Sequence, residues 1–254
     1  MKKNIFKIIG AVAISSVIWS CQDMDRPELG DFPSDVGTYT PKDGEKLYAD
    51  FENKYLLNSV NGAPAQKTGN TTLGIPKKGN YSFSGAANSY ISYPVKGLYS
   101  SNGISFAFWY KVNASPDRSG IITINDNEIN TDDNRNGGLR IFREGGTAKQ
   151  RIKLNLGTGT ADSWNDGAEI DVNGNWVYVT VTISPTQSKI YFDGVLKNTA
   201  SYTAFDFSKS STMVVGSGAP SFSYWGHNSD LSLMDDLRVF DKVLTVSEIQ
   251  SLMQ

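Results

Sequence analysis

The chain has 254 residues, with 24 Lys plus Arg against 26 Asp plus Glu, a formal net charge of -2 and a single cysteine. So even a balance, with no basic stripe interleaved with aromatics, excludes a protein built to neutralise nucleic-acid phosphates, and one cysteine excludes an internal disulfide, so the core must hold by packing alone. The 24 glycines, 12 tyrosines, 12 phenylalanines and 5 tryptophans favour turns and strands over helices.

The chain opens on Lys2-Lys3, an apolar stretch from Ile5 to Trp19 interrupted by Lys7, Gly10 and Ser15-Ser16, and then Ser20-Cys21. A basic start, a short apolar run and a small residue at the cut describe a removable export signal over 1–20. The run is shorter than the about 20 apolar residues that span a bilayer. Cys21 stands where a bacterial lipoprotein is cut and lipidated; an uncleaved anchor helix and an ordinary secretory signal are the alternatives. Residues after it carry Asp23, Asp25, Glu28, Asp31, Asp35 and Asp43 among Pro27, Pro33 and Pro41. With almost no aliphatic periodicity that stretch cannot bury enough surface to fold by itself, so 21–44 reads as a flexible acidic, proline-rich tether and 45–254 as one domain. About 210 residues bury roughly 70–75 % of their unfolded surface around a single core. The run Asp23-Met24-Asp25-Arg26-Pro27-Glu28-Leu29-Gly30-Asp31 resembles the opening of Bacteroidetes surface lipoproteins from polysaccharide-utilisation loci. That resemblance implies a lipid-anchored outer-membrane protein facing the cell exterior, with other lipoproteins of an uptake complex as candidate partners.

Within the domain the apolar spacing is two. Ile104, Phe106, Phe108, Tyr110 and Val112 alternate with Ser105, Ala107, Trp109 and Lys111, and Val177, Val179, Val181 and Ile183 alternate with Tyr178, Thr180 and Thr182. Both predict half-buried antiparallel strands. Shorter strands are predicted at 47–51, 81–83, 90–93, 121–124, 139–142, 152–156, 189–192, 213–215 and 231–240, and Asp193-Gly194 marks a two-residue hairpin turn. Many short strands with glycine-rich turns and no internal repeat predict a sandwich or barrel over a propeller or solenoid. The one predicted helix covers 246–254: Thr245 as N-cap and Glu248 form a capping box, with Leu244 stapled to Ile249.

The ordered series Phe83-Ser84-Gly85, Tyr90-Ile91-Ser92-Tyr93, Ile104 to Lys111, Gly174-Asn175-Trp176-Val177-Tyr178-Val179, Lys189 to Gly194 and Met234-Asp235-Asp236-Leu237-Arg238-Val239-Phe240, closed by Leu244 and Glu248-Ile249, is similar to the laminin-G-like, concanavalin A-like jelly-roll family. The resemblance implies an all-β fold: an antiparallel two-sheet jelly-roll sandwich with a short C-terminal helix. It leaves function open, because this fold hosts lectins, glycosidases and adhesion modules.

Three kinds of site are testable on paper. Glucanases of this fold place carboxylates alternately along one strand, and Glu169-Ile170-Asp171-Val172-Asn173 begins that pattern but ends in an amide. An amide cannot give and take the proton that hydrolysis requires, so no catalytic residue is assigned and the domain is read as non-catalytic. On the last strand Asp235 shares a face with Leu231, Leu233, Leu237 and Val239, while Asp236 and Arg238 point the other way. A carboxylate on an apolar face needs a cation or several donors. Either Asp235 binds a structural Ca²⁺ with Asp50 or Glu52, as the family resemblance implies, or it accepts backbone N–H bonds or pairs with a cation. Asp132, Asn134, Asn136 and Gly137 imitate half of an EF-hand loop, but Arg143 occupies its twelfth position, so the segment reads as a solvated loop. His227, the only histidine, gives zinc no partners.

Carbohydrate binding would rest on loop aromatics flanked by amides and carboxylates. Two stretches have that mixture: Phe222 to Asp230, with Tyr224, Trp225, His227 and Asn228, and a polar turn at 162–167 with Trp164. Trp109 and Trp176 sit on strands and read as core or sheet cover. For Trp225 and Trp164 the competing role is a plug over the sandwich end. The reading that follows is a surface lipoprotein whose lectin-like domain captures polysaccharide; the alternative is a structural or protein-interaction module of an outer-membrane complex.

Overall fold

The computed structural model describes residues 39–53, 55–124, 135–172, 174–219, 222–223 and 225–254. Cys21 and the acidic run after it lie outside these residues. The chain divides into units 1–35 and 36–254, and the described residues all belong to the second.

The strands are β1 (Glu45–Ala49), β2 (Gln66–Thr68), β3 (Thr72–Gly74), β4 (Ser82–Ser84), β5 (Tyr90–Pro94), β6 (Ile104–Lys111), β7 (Arg118–Ile124) and β8 (Leu139–Gly145). They continue with β9 (Lys149–Gly157), β10 (Asp162–Asp171), β11 (Val177–Ile183), β12 (Gln187–Phe192), β13 (Val195–Ser201), β14 (Thr212–Val215) and β15 (Leu233–Phe240), followed by α1 (Val246–Leu252). They form two antiparallel sheets: eight strands in the order β13-β12-β11-β6-β15-β4-β3, with β1 also on β15, and seven in the order β10-β9-β8-β7-β14-β5-β2. The fold is therefore nearly all β, a two-sheet sandwich with one short C-terminal helix.

Period-two alternation sorts the side chains into layers. Phe106, Phe108 and Tyr110 of β6, Val179, Val181 and Ile183 of β11, and Ile141, Ile152, Leu154 and Leu156 from the seven-stranded sheet are buried in one core between the sheets. The opposite side of β6 and β11 carries Ala107, Trp109 and Tyr178, which pack with Phe240, Leu244, Ile249 and Leu252. Thus α1 roofs the outer face of the eight-stranded sheet. Its capping box is present as predicted: the Glu248 amide donates to the Thr245 hydroxyl and the Thr245 amide donates to the Glu248 carboxylate. Leu244 and Ile249 are buried in the same cluster, as a staple requires. The Asp193-Gly194 turn has positive φ at both residues (49° and 74°), and the Asp193 carboxylate accepts the Tyr178 amide at 2.9 Å.

Three local expectations are corrected. The tether was expected to run to Gly44, but Tyr39 packs on Tyr48 with ring centroids 4.7 Å apart and its hydroxyl meets Arg238 Nη1 at 2.7 Å, so 39–44 is part of the folded body. The segment 162–167, expected as a turn, is the first half of edge strand β10. Its inward position 165 holds an amide, which donates to the Ser188 carbonyl of β12 at 3.2 Å, so no apolar alternation betrays the strand. Finally, Asp235 does not share the inner face with Leu237 and Val239. A register shift lies between Asp235 and Arg238, with Asp236 at φ 55°, and Asp235 pairs across the strand with Trp109, on the outer side. One inserted residue flips the alternation on which the expectation rested.

Candidate functional site

Among the described residues no helix covers the outer face of the seven-stranded sheet. Along β8 the residues Leu139, Ile141 and Arg143 point inward, so Arg140, Phe142 and Glu144 point out. Register then places Asn155 beside Arg140 and Trp164 beside Asn155, and sets Lys153 beside Phe142. The face is thus polar with one aromatic centre, and the loop 222–230 folds over it.

Backbone geometry brings that loop down. The Gly120 amide on β7 donates to the carbonyls of His227 (3.2 Å) and Asn228 (3.1 Å), and the Gly218 amide donates to His227 at 2.9 Å. A Cβ at Gly120 would stand 2.1 Å from the Gly218 nitrogen and one at Gly218 would stand 2.0 Å from the His227 carbonyl oxygen, so both contacts need glycine. Within the loop the imidazole of His227 stacks on Phe222 (4.7 Å, 15°) and meets Phe142 edge-on (4.6 Å). At its end Asp230 is buried with Arg143, Tyr110 and Ser232.

This packing sets two indoles at the surface, Trp164 at 41 % exposure and Trp225 at 46 %. Between them stands Arg135, whose guanidinium carbon lies 5.6 Å from the Trp164 ring centroid and 5.8 Å from that of Trp225. The sequence expectation named both tryptophans separately; the fold brings them to one place. Asp162 holds Arg135 at 2.9 Å and accepts the Asn155 amide at 2.8 Å. Burial pulls the Asp162 carboxyl upward, but the bonds from Arg135 and Asn155 outweigh it and hold the group below the usual carboxylate range. On the other flank Lys153 lies 5.6 Å from the Trp164 centroid, pinned by Glu144 at 3.2 Å and Asp166 at 3.1 Å. Burial works against its charge, and the two carboxylates reverse that and raise its pKa. Two flat apolar rings are therefore set among fixed donors and acceptors, the composition that stacks a sugar ring and takes up its hydroxyls.

The other expected ligand residues fare differently. Asn228 is exposed on the loop, and Tyr224 lies outside the described residues. His227 is only 4 % exposed, so it props the loop and does not face a ligand. Burial lowers its pKa, partly opposed by Glu144, whose carboxylate is 3.4 Å from Nε2. Arg135, Phe142 and Lys153 were not singled out in the sequence. The alternation Arg140-Phe142-Glu144 held the signal, but a strand read from its apolar members hides what its other side carries. Trp109 is sheet cover as expected, with Lys77 Nζ 4.4 Å from its ring centroid.

Asp50, Glu52 and Asp235 do not fit a calcium ion. Asp235 accepts the amides of Lys77 (2.7 Å), Lys78 (2.9 Å) and Asp236 (2.8 Å), which is the backbone alternative left open by the sequence. Asp50 accepts the Glu52 amide at 3.1 Å, and Glu52 accepts the amide of Asn80 at 2.9 Å. Among the described residues no three His, Cys, Asp or Glu side chains gather in a metal-binding group. Of the glucanase-like run, Glu169 pairs with Arg151 (3.2 Å) and Asp171 with Lys149 (3.6 Å), while Asn173 lies outside the described residues. A separate groove of about 670 Å³ lined by Lys77, Glu169, Asp171, Trp176, Phe192 and Lys197 has a single tryptophan, and its other ring, Phe192, is buried at 5 % exposure.

A family model described as the concanavalin A-like lectin/glucanases superfamily (Laminin_G_3) matches residues 83–250. No curated protein matches the chain. Among solved structures, domain 4 of AbnA, a GH43 extracellular arabinanase from Geobacillus stearothermophilus, in complex with arabinotriose, superposes with a TM-score of 0.65 at 20 % identity over 84 % of this chain and 100 % of that one. The binding domain of Botulinum neurotoxin DC in complex with SialylT gives 0.57 at 16 % identity over 83 % of this chain and 51 % of that one. The same toxin domain in complex with rat synaptotagmin II gives 0.59 at 16 % identity, over 82 % and 51 %. The chain thus spans about half of the toxin binding domains, and at these identities the likeness is one of fold.

Proposed function

The chain belongs to the concanavalin A-like lectin/glucanases superfamily, and on that premise we propose that it is a non-catalytic, lectin-like module that captures a polysaccharide on the outer face of its seven-stranded sheet. The observation that carries this reading is the pair of exposed indoles of Trp164 and Trp225 on either side of Arg135, set among Asp162, Asn155 and Lys153. Support comes also from similar folds solved with arabinotriose, in domain 4 of an extracellular arabinanase, and with SialylT, in a toxin binding domain. Trp164 and Trp225 supply stacking, the Arg135–Asp162 pair and Asn155 hydroxyl recognition, and His227 with Phe222 holds the loop in place.

The module is proposed to work at the cell exterior, lipidated at Cys21 in the outer membrane beside an uptake complex; support for that part is the sequence from Lys2 to Asp31. Incorporation of a fatty-acid label that Cys21→Ala abolishes would establish the anchor. The binding function is tested by calorimetry against plant, fungal and host polysaccharides. Saturable binding to one class supports it, and silence across the panel by folded protein favours the protein-interaction module.

A further inference from the structure

The ion pairs that surround the two indoles also describe the ligand. Arg118 pairs with Asp117 at 3.4 Å, Arg135 with Asp162 at 2.9 Å, and Lys153 with both Glu144 and Asp166. Arg140 is 1 % exposed, and its Nη1 donates to the Gly137 carbonyl at 2.8 Å, so it lies under the face and not on it. The three cations on the face, Arg118, Arg135 and Lys153, are thus met by four carboxylates, Asp117, Glu144, Asp162 and Asp166.

We infer that the glycan taken by this face is uncharged, and that it engages the protein through at least two neighbouring sugar rings. The inference rests on the carbohydrate-binding reading above and narrows it. A uronate or sialate carboxylate would have to displace Asp162 from Arg135, or approach Lys153 past Glu144 and Asp166, and like charges brought together in this way select against the ligand. A neutral sugar meets no such penalty. Its hydroxyls can donate to the carboxylates of Asp162 and Asp166 and accept from the Lys153 ammonium, so the ion pairs serve as combined donors and acceptors. The indoles each lie within 6 Å of one guanidinium carbon, so their centroids are at most twice that distance apart. Two separate indoles within that reach offer a platform each to two rings of one oligosaccharide.

The test compares arabinotriose and neutral gluco-, galacto- and manno-oligosaccharides with sialylated and uronate-containing oligosaccharides, using the intact protein and calorimetry. A neutral oligomer should bind, more tightly than its monosaccharide, with affinity changing less than about twofold between roughly 0.05 and 0.5 M salt. The double variant Asp162→Asn, Asp166→Asn should gain affinity for the acidic ligands by about tenfold or more, because Arg135 and Lys153 then lose carboxylates that oppose an anion. Binding of acidic glycans alone by the unaltered protein, falling steeply with salt, would overturn the inference and leave the carbohydrate-binding reading standing. Silence toward both classes would overturn the carbohydrate-binding reading and this inference with it.

Discussion

The guanidinium of Arg143 lies 3.0 Å from the carboxylate of Asp230 inside the sandwich, with Arg143 at 0 % exposure, and this contact ties β8 to the root of the loop that bears Trp225. Tyr110 and Ser232 donate to the same carboxylate at 2.6 and 2.7 Å, and Gln150 accepts from Arg143 at 2.8 Å. A buried ion pair adds little stability over a well-packed apolar replacement, but losing one member strands the other charge.

Arg143→Met should therefore destabilise the protein by about 3–5 kcal/mol, because Asp230 is left buried without its cation. Equilibrium urea denaturation checks this. Adding Asp230→Asn to that variant should recover part of the loss, giving a large coupling energy in the double-mutant cycle.

Thr245→Ala removes the hydroxyl that accepts the Glu248 amide at 3.3 Å. The expected cost is about 1 kcal/mol. Because α1 roofs the face opposite the tryptophans, thermal denaturation should report the loss while the affinity for glycan stays unchanged.

Two buried groups should pull the pH dependence of stability in opposite directions. His227 has its pKa lowered by burial, so its contribution is fully present above 6.5 and is lost as pH falls through the folded value. Asp235 has its pKa raised by burial to about 6 from 3.8, so its contribution is present at low pH and is lost as pH rises through about 6. His227→Phe should flatten the loss of stability on acidification below 6.5, whereas Asp235→Asn should remove a loss seen on going from pH 4 to 6. Chemical denaturation at several pH values separates the two.

The sandwich was legible because β6 and β11 carry unbroken apolar alternation, and because the capping box and the Asp193-Gly194 turn are local signals that need no tertiary context. What the sequence hid was non-local. Asp235 changed face through one bulged residue, and β10 was missed because Asn165 and Gly167 occupy positions where apolar residues mark a strand. At the site, Trp164 and Trp225 were visible as aromatics in polar surroundings. Their juxtaposition depends on Arg135 and on the fit of Gly120 against Gly218, contacts between residues far apart in the chain. His227 looked like a ligand contact for the same reason that it is not one: its neighbours Phe222 and Phe142 bury it.

The central claim is that Trp164 and Trp225 form one carbohydrate platform, and the most direct measurement is calorimetric affinity for the bound oligosaccharide in Trp164→Ala, Trp225→Ala and the double variant, each beside its melting temperature. Both side chains are about half exposed, so melting temperatures should move little. Each single variant should lose about 2 kcal/mol of binding, the order of cost for truncating an aromatic anchor of a binding site, and the double variant should bind below detection. Unchanged affinity in both single variants, with the fold intact, would contradict the account.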